Sequence, residues 1–181
     1  MPEAQRGRVL LDIARDAIAD PSGDRGPQAW KEAWLREPGA TFVTLRDASG
    51  GLRGCIGTVD AHRGLGDDVA HNARAAAYRD PRFAPLDARE RASVGIEVSV
   101  LTPRVALPAS SEADALAKLV PGEDGLVFEF RDRHATFLPQ VWESLPDPFD
   151  FFSELRRKAG VPARFWHDDV RLWRYRVEKY S

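Results

Sequence analysis

The sequence predicts an α+β fold with a mainly antiparallel sheet of about six strands and flanking helices. Two observations favour it. Candidate strands are joined mainly by hairpins, and strand–helix–strand units are too few for a doubly wound parallel sheet. The length of 181 residues and the 43% hydrophobic content fit one domain over residues 1–181 that folds on its own core, with or without a smaller lobe.

The first half of the chain predicts a helix, a hairpin and a second helix. Apolar residues over 9–18 recur at helical spacing, with Arg and Asp on the other face. Residues 41–46 and 52–59 are typical of two strands, because a Ser-Gly-Gly turn separates two β-rich runs. Residues 66–78 carry Ala at helical intervals, and the prolines over 80–85 then predict an ordered loop.

The second half of the chain also predicts strands and helices in turn. Apolar and small or polar residues alternate over 93–101, which favours a central strand. A Ser-x-x-Asp pattern at residue 111 indicates a helix N-terminus. The remaining predicted elements are a helix over 111–120, a hairpin over 126–131 and 134–138, a helix over 148–159 and a closing strand over 173–177.

Composition excludes several classes of function. The net charge of −2 disfavours a dedicated polyanion binder, and the C-terminal arginines alternate with Trp173 and Tyr175 onto opposite faces, so we expect no nucleic acid partner. No run approaches the roughly 20 apolar residues of a membrane span. Cys55 is the only cysteine, which excludes an internal disulfide and fits a reducing cytoplasm. One cysteine and four scattered histidines also disfavour a metal site.

The segment Leu-Arg-Gly-Cys-Ile-Gly over 52–57 is the first candidate for chemistry. Strand side chains alternate, so Arg53 and Cys55 share a face about 7 Å apart, and a nearby guanidinium favours a thiolate. Gly54 and Gly57 weaken a strand unless backbone or ligand must approach closely, and their amides are candidates to hold an oxyanion. The alternative is that Cys55 is a small buried hydrophobic side chain.

Four further residues are candidate neighbours of this strand. Asp80 is a candidate to cap backbone amides or to pair with Arg82 in the proline-containing loop, or to anchor a ligand there. Glu97 points away from the Val/Ile face of its strand, towards solvent or a cleft. Gln140 follows the second hairpin and completes the set of candidate binding residues.

Five separated motifs resemble the AMMECR domain family. In order and spacing they cover nearly the whole chain, and they are most similar to its stand-alone bacterial form, AmmeMemoRadiSam system protein A. The motifs are LRGCIGT over 52–58, AAxxDPRFxPL over 76–86, IEVSVLTP over 96–103, ATFLPQVW over 135–142 and FFxxLxxKAG over 151–160.

The resemblance implies an α+β fold, described as a larger and a smaller lobe, and no established activity or cofactor. It also implies two partners, a Memo-like protein and a radical-SAM protein, by association rather than by physical argument. Two hypotheses follow. One is a binding or adaptor module whose functional surface is the LRGCIG strand. The other is a cysteine-dependent enzyme or enzyme subunit, with Cys55 as nucleophile and Arg53 activating it.

Overall fold

A computed structural model describes residues 2–22 and 30–181, which divide into two compact units. The first unit runs to Leu101 and takes in the C-terminal segment Glu178–Ser181, and the second covers Thr102–Val177. Among the described residues, no helix is both long and apolar enough to cross a lipid bilayer.

The first unit is a layer of helices on a four-stranded sheet. The sheet has the order β10-β5-β2-β3, with β2 antiparallel to both β3 and β5, and so β3 is an edge strand. The elements are α1 (Glu3–Ala19), a 3-10 helix (Ala33–Leu35), β1 (Pro38–Gly39), β2 (Thr41–Arg46), β3 (Leu52–Gly57), β4 (Arg63–Gly64), α2 (Leu65–Tyr78), α3 (Ala88–Ser93), β5 (Gly95–Leu101) and β10 (Val177–Tyr180).

Helices α1 and α2 cover one face of this sheet. Helix α1 packs on α2 and β5, and α2 packs on β2 and β3. Val43 and Val98 are directly paired across β2 and β5, and both are fully buried on the helix side. Residues at alternate positions, such as Thr44 and Glu97, therefore lie on the opposite face of the sheet.

The second unit repeats this design with other elements. Its sheet has the order β6-β9-β7-β8, and its core contains Phe128, Phe152 and a stacked pair, Trp142 and Phe151, with ring centroids 3.8 Å apart. The elements are β6 (Val105–Ala106), α4 (Glu112–Lys118), β7 (Gly125–Phe130), β8 (Arg133–Phe137), a 3-10 helix (Pro139–Glu143), α5 (Pro148–Lys158) and β9 (Arg171–Tyr175).

The predicted α+β class with antiparallel pairing is confirmed. The described residues form five α-helices and ten strands, and the six predicted strands are the longer ones among these ten. Two details differ from the sequence prediction. Helix α3 covers Ala88–Ser93, where no element was predicted up to residue 92 and a strand was predicted to begin at Ser93. The single closing strand is two strands, because Arg176 pairs instead with Thr102 through its N–H and its C=O (2.8 and 2.9 Å).

Gly54 is the point at which α2 comes closest to the edge strand. A Cβ atom at this position would lie far inside van der Waals contact of the Ala76 carbonyl oxygen in α2. A backbone oxygen cannot move aside as a flexible side chain can, so only glycine allows α2 to lie this close to β3.

We therefore expect Gly54→Ala to lower the free energy of unfolding by about 1–3 kcal/mol, the usual cost of overpacking a tight core. Gly95→Ala is the matched control, since a Cβ at this strand position would meet its nearest atoms only at 3.7 Å. The control should stay within about 0.5 kcal/mol of the wild-type protein in urea denaturation. Equal losses in both variants would contradict the packing account.

Candidate functional site

Asp80 holds the backbone of Cys55 from outside the sheet. The Cys55 N–H donates to Oδ2 of Asp80 at 2.8 Å, and Nη2 of Arg82 donates to the Cys55 carbonyl oxygen at 3.0 Å. Asp80 and Arg82 also bind each other, through Nε at 2.9 Å and Nη2 at 2.7 Å. One loop thus satisfies both backbone groups of a single strand residue.

These contacts close an exposed strand edge. An edge strand presents unpaired N–H and C=O groups that can recruit another chain. At Cys55 the side chains of Asp80 and Arg82 supply the donor and acceptor that a neighbouring strand would supply. Side chains of the loop over residues 80–86, called here the Asp80 loop, therefore take the place of a further strand at Cys55.

The electrostatics of Asp80 match its position. The carboxylate is 4% exposed and accepts hydrogen bonds from the Arg82 guanidinium and from the backbone N–H groups of Cys55 and Arg82. The Arg82 guanidinium, more than the backbone donors, holds the pKa of Asp80 well below its usual range. Asp80 is thus a permanently charged anchor rather than a proton carrier near neutral pH.

Arg53 is engaged by a second carboxylate. Its Nε and Nη2 donate to the two carboxylate oxygens of Glu90 at 2.7 and 2.9 Å, and Nη2 also donates to the Ala84 carbonyl oxygen at 3.0 Å. Glu90 belongs to a capping box with Asp87 at the start of α3, and its pKa is lowered mainly by Arg53. The guanidinium predicted to activate Cys55 is therefore paired in this structure with Glu90.

The Phe83 ring lies between the two arginines of this surface, Arg53 and Arg82. The guanidinium carbon of Arg53 lies 5.8 Å from the centroid of the Phe83 ring, and that of Arg82 lies 5.6 Å from it. Both distances are within the range of cation–π attraction. The Asp80 loop is therefore fixed to β3 by hydrogen bonds at Cys55 and by an aromatic ring shared between two cations.

The Cys55 thiol is half-buried, and the Thr44 hydroxyl donates to its Sγ at 3.4 Å. The Arg82 guanidinium also interacts with this side chain, and the pKa of Arg82 is raised mainly by Asp80 and to a smaller extent by Cys55. Thr44 is directly opposite Cys55 in the pairing of β2 with β3. Neither a threonine hydroxyl nor a guanidinium is a general base near neutral pH, so no base among the described residues hydrogen-bonds the thiol.

The two glycines beside Cys55 have packing roles. Gly54 accommodates α2, as described above, and its backbone groups point to β2 because those of Cys55 point outwards. At Gly57 the space of a side chain is occupied by the ring of Phe42, its partner on β2. Close approach of neighbouring groups thus accounts for both residues.

The remaining candidates, Glu97 and Gln140, belong to different units of the chain. Glu97 pairs with Thr44 across β5 and β2, so Glu97, Thr44 and Cys55 form one row on the face opposite the helices. Glu97 has no hydrogen-bond or ion-pair partner among the described residues. Gln140 is exposed in the 3-10 helix of the second unit, and the hydrogen bonds around Cys55 are complete without it.

A second, buried carboxylate lies below the edge strand and was not predicted. Asp68 in the first turn of α2 is fully buried and accepts from the Thr41 N–H and hydroxyl, the Thr58 hydroxyl and the Asn72 amide at 2.7–3.0 Å. Arg63 is 3.5 Å from it. This network joins α2 to β2 and to the end of β3, which fixes the sheet on which the site is built.

Sequence reasoning also missed Glu90 and Thr44, although signals for both were present. Asp87 and Glu90 have the spacing of a capping box, which predicts α3 and an ordered carboxylate. Alternation along residues 41–46 places Thr44 opposite the inward-facing Val43 and Leu45. Across residues 2–22 and 30–181, no three His, Cys, Asp or Glu side chains form a group suited to a metal ion.

Comparisons with known proteins agree with this geometry over almost the whole chain. A family model described as AMMECR1 matches residues 11–180. A protein of Thermofilum pendens is 33% identical, covering 97% of this chain and 89% of its own, and one of Methanothermobacter thermautotrophicus is 35% identical, covering 95% and 92%. The crystal structure of uncharacterized protein PH0010 from Pyrococcus horikoshii has a TM-score of 0.78 at 30% identity, covering 98% of this chain and 91% of that one.

We expect the stabilisation that Asp80 supplies to disappear in acid. A carboxyl whose pKa is lowered by folding stabilises the protein above its unfolded pKa of about 4, and this contribution is lost as pH falls towards the folded pKa. At pH 7, Asp80→Ala should lower the free energy of unfolding by about 1–3 kcal/mol, because the Cys55 N–H loses its partner.

Urea denaturation from pH 7 down to pH 2.5 checks this prediction. The difference in free energy of unfolding between the wild-type protein and Asp80→Ala should become smaller below pH 4. Asp12→Ala, which removes an exposed carboxylate on α1, is the control and should change stability by less than about 0.5 kcal/mol throughout. If this difference in free energy of unfolding stays constant with pH, ionised Asp80 does not stabilise the fold.

Proposed function

The chain belongs to the AMMECR1 family, and from this premise we propose that it is a cytoplasmic binding or adaptor component whose docking surface is the Asp80 loop on the LRGCIG strand. Its partners in this proposal are a Memo-like protein and a radical-SAM protein, which the resemblance to the stand-alone bacterial form of the family implies. The relatives named above are archaeal, so the bacterial assignment is part of the proposal.

One observation carries the proposal: the charged groups of this surface are already paired with one another. Arg53 is bound by Glu90 and Arg82 by Asp80, and both guanidinium groups lie on Phe83. A catalytic centre needs a group positioned to transfer a proton or to attack, whereas a docking surface needs a fixed shape. The arrangement supports the second requirement.

The outer side of the Asp80 loop has the composition of a protein interface. The exposed residues Pro81, Ala84 and Pro85 are apolar, and Arg82 keeps 53% of its side chain exposed beside the half-buried ring of Phe83. Arginine and aromatic residues are enriched where proteins bind one another. The prolines limit backbone freedom, so little conformational entropy is lost when a partner binds.

The alternative is a cysteine-dependent reaction, for which the half-buried thiol of Cys55 is the only nucleophile of its type in the chain. Thr44 donates to the sulfur and the Arg82 guanidinium interacts with it, whereas Arg53 would have to leave Glu90 to act on it. This alternative predicts that Cys55 is essential, and the binding proposal predicts that it is not.

Binding to the two partners of the same genome tests the proposal. Ala84→Arg places a bulky cation on the docking surface and leaves the side chains of Asp80, Arg82 and Phe83 unchanged. We expect it to weaken complex formation at least tenfold, because one poorly fitting side chain at an interface centre commonly costs more than about 1.4 kcal/mol. Isothermal titration calorimetry with each purified partner measures the change.

Two variants complete the experiment. Ala4→Arg, at an exposed alanine on α1, is the matched control and should bind like the wild-type protein. Cys55→Ser should bind equally well. The proposal is wrong if the wild-type protein binds neither partner at micromolar concentration. Loss of binding in Cys55→Ser, with the fold intact by circular dichroism, would favour the cysteine-dependent alternative.

A further inference from the structure

A groove lies between α1 and β10, which is the edge strand at the opposite side of the first unit's sheet from β3. Its cavity has a volume of about 630 Å³, within the range of clefts that bind ligands. One wall is a stripe of α1 that includes Arg8, Leu11 and Arg15, and the other wall is the end of β10, at Lys179 and Tyr180. We call this cavity the α1–β10 groove.

Helix α1 and β10 are in close contact along this groove. The ring of Tyr180 is buried, and a Cβ atom at Gly7 of α1 would come within 2.6 Å of it. Glu178 also faces α1, since it forms an ion pair with Arg6 at 3.4 Å. Side chains alternate along a strand, so that of Lys179 points to the other face of the sheet. What Lys179 offers at the edge is therefore its backbone.

The backbone of β10 is open to pairing at Lys179. Just before this strand, Arg176 bonds through its N–H and its C=O to Thr102, which follows β5. Successive residues of a strand direct their backbone groups to opposite sides, so those of Lys179 point away from β5. No side chain in the described part of the chain forms a hydrogen bond with them. The edges at β3 and β8 differ, since side chains bond to the backbone of Cys55 and of Thr136.

Arg8 is the uncompensated charge on the α1 wall of the groove. Arg15 pairs with Asp12 at 3.4 Å. Glu3 lies in the first turn of α1, where the positive end of the helix dipole balances a carboxylate. Arg8, in contrast, forms no ion pair with any residue that the structure describes. A molecule with an acidic side chain at this point would complement the groove.

From these observations we propose that the α1–β10 groove binds an extended acidic segment of another protein, which adds a strand to β10. Free N–H and C=O groups at a sheet edge are complemented by an extended chain, and here the Lys179 backbone supplies them. A carboxylate of the segment pairs with Arg8, and an apolar side chain beside it packs on the half-buried Leu11.

A second copy of this chain is a poorer occupant of the groove. A twofold contact sets a surface patch against an identical patch, so it would bring the cationic residues of two grooves together. The groove and the Asp80 loop lie at opposite edges of one sheet. The proposal therefore goes beyond the docking surface described above and does not depend on it.

A designed peptide tests strand addition on the isolated protein. The probe is acetyl-Val-Glu-Val-Glu-Val-amide. One control peptide has Lys in place of Glu, and the other carries N-methyl groups on its internal amides, so it cannot pair with an edge. In NMR titrations of isotope-labelled protein, the probe should bind at least about threefold more tightly than the Lys peptide and at least about tenfold more tightly than the N-methylated one. It should also slow hydrogen exchange of the Lys179 amide.

Two pairs of variants locate the contacts. Lys179→Pro removes the outward N–H, which an edge strand tolerates, and should abolish binding, whereas Lys179→Ala keeps this N–H and should retain binding. Arg8→Glu should weaken binding of the probe at least about threefold. Arg89→Glu makes the same charge change at an exposed position on α3 and should leave binding unchanged.

Three results would overturn the proposal. The first is equal binding of the probe and the N-methylated peptide, or no binding of the probe at millimolar concentration. The second is a Lys179→Pro variant that binds the probe as well as the wild-type protein does; if this variant does not fold, the N-methylated peptide makes the same test. The third is a dimer, detected by sedimentation, that Lys179→Pro abolishes, since a second copy would then be the occupant. No partner protein is used, so failure of docking at the Asp80 loop leaves these outcomes unchanged.

Discussion

The contact on which the candidate site depends is the pair of hydrogen bonds from the Asp80 loop to the backbone of Cys55. It joins the end of α2 to the edge of the sheet. Because Asp80 is buried, its charge requires the Arg82 guanidinium, and Arg82 in turn places Phe83 within reach of Arg53. Glu90 then fixes Arg53 and, through its capping box, the start of α3. Each residue of the surface is thus positioned by the one before it.

Charged side chains also close the outer edge of the second sheet. There Lys158 of α5 donates to the Thr136 carbonyl oxygen of the edge strand β8 at 2.9 Å. Capping an edge with charge keeps a soluble protein from pairing with other strands. The LRGCIG strand is therefore unsuited to strand addition at Cys55, and what it offers a partner is the surface of the loop that covers it.

Glycine, arginine and cysteine within one short motif suggest a catalytic strand, but the same residues satisfy packing requirements. Gly54 accommodates a helix backbone and Gly57 an aromatic ring, while Arg53 binds a carboxylate. Within this motif, Nη1 of Arg53 is a buried polar atom that has no hydrogen-bond partner among the described residues. Glu97 and Ser99 alternate with buried valines on β5 and lie on the sheet face that they share with Cys55.

The sequence itself determines the secondary structure along the chain. Periodicity and turn residues were sufficient to predict the α+β class, the hairpin of β2 and β3, and a shared face for Arg53 and Cys55. They also predicted that Asp80 would cap an amide or pair with Arg82, but not which amide. The contacts of Asp80 with Cys55 and of Glu90 with Arg53 span 25 and 37 residues. Only the tertiary structure decided these two contacts. A repeating sequence pattern specifies the face of an element on which a side chain lies. The packing of α2 across the sheet then selects the distant residue that this side chain contacts.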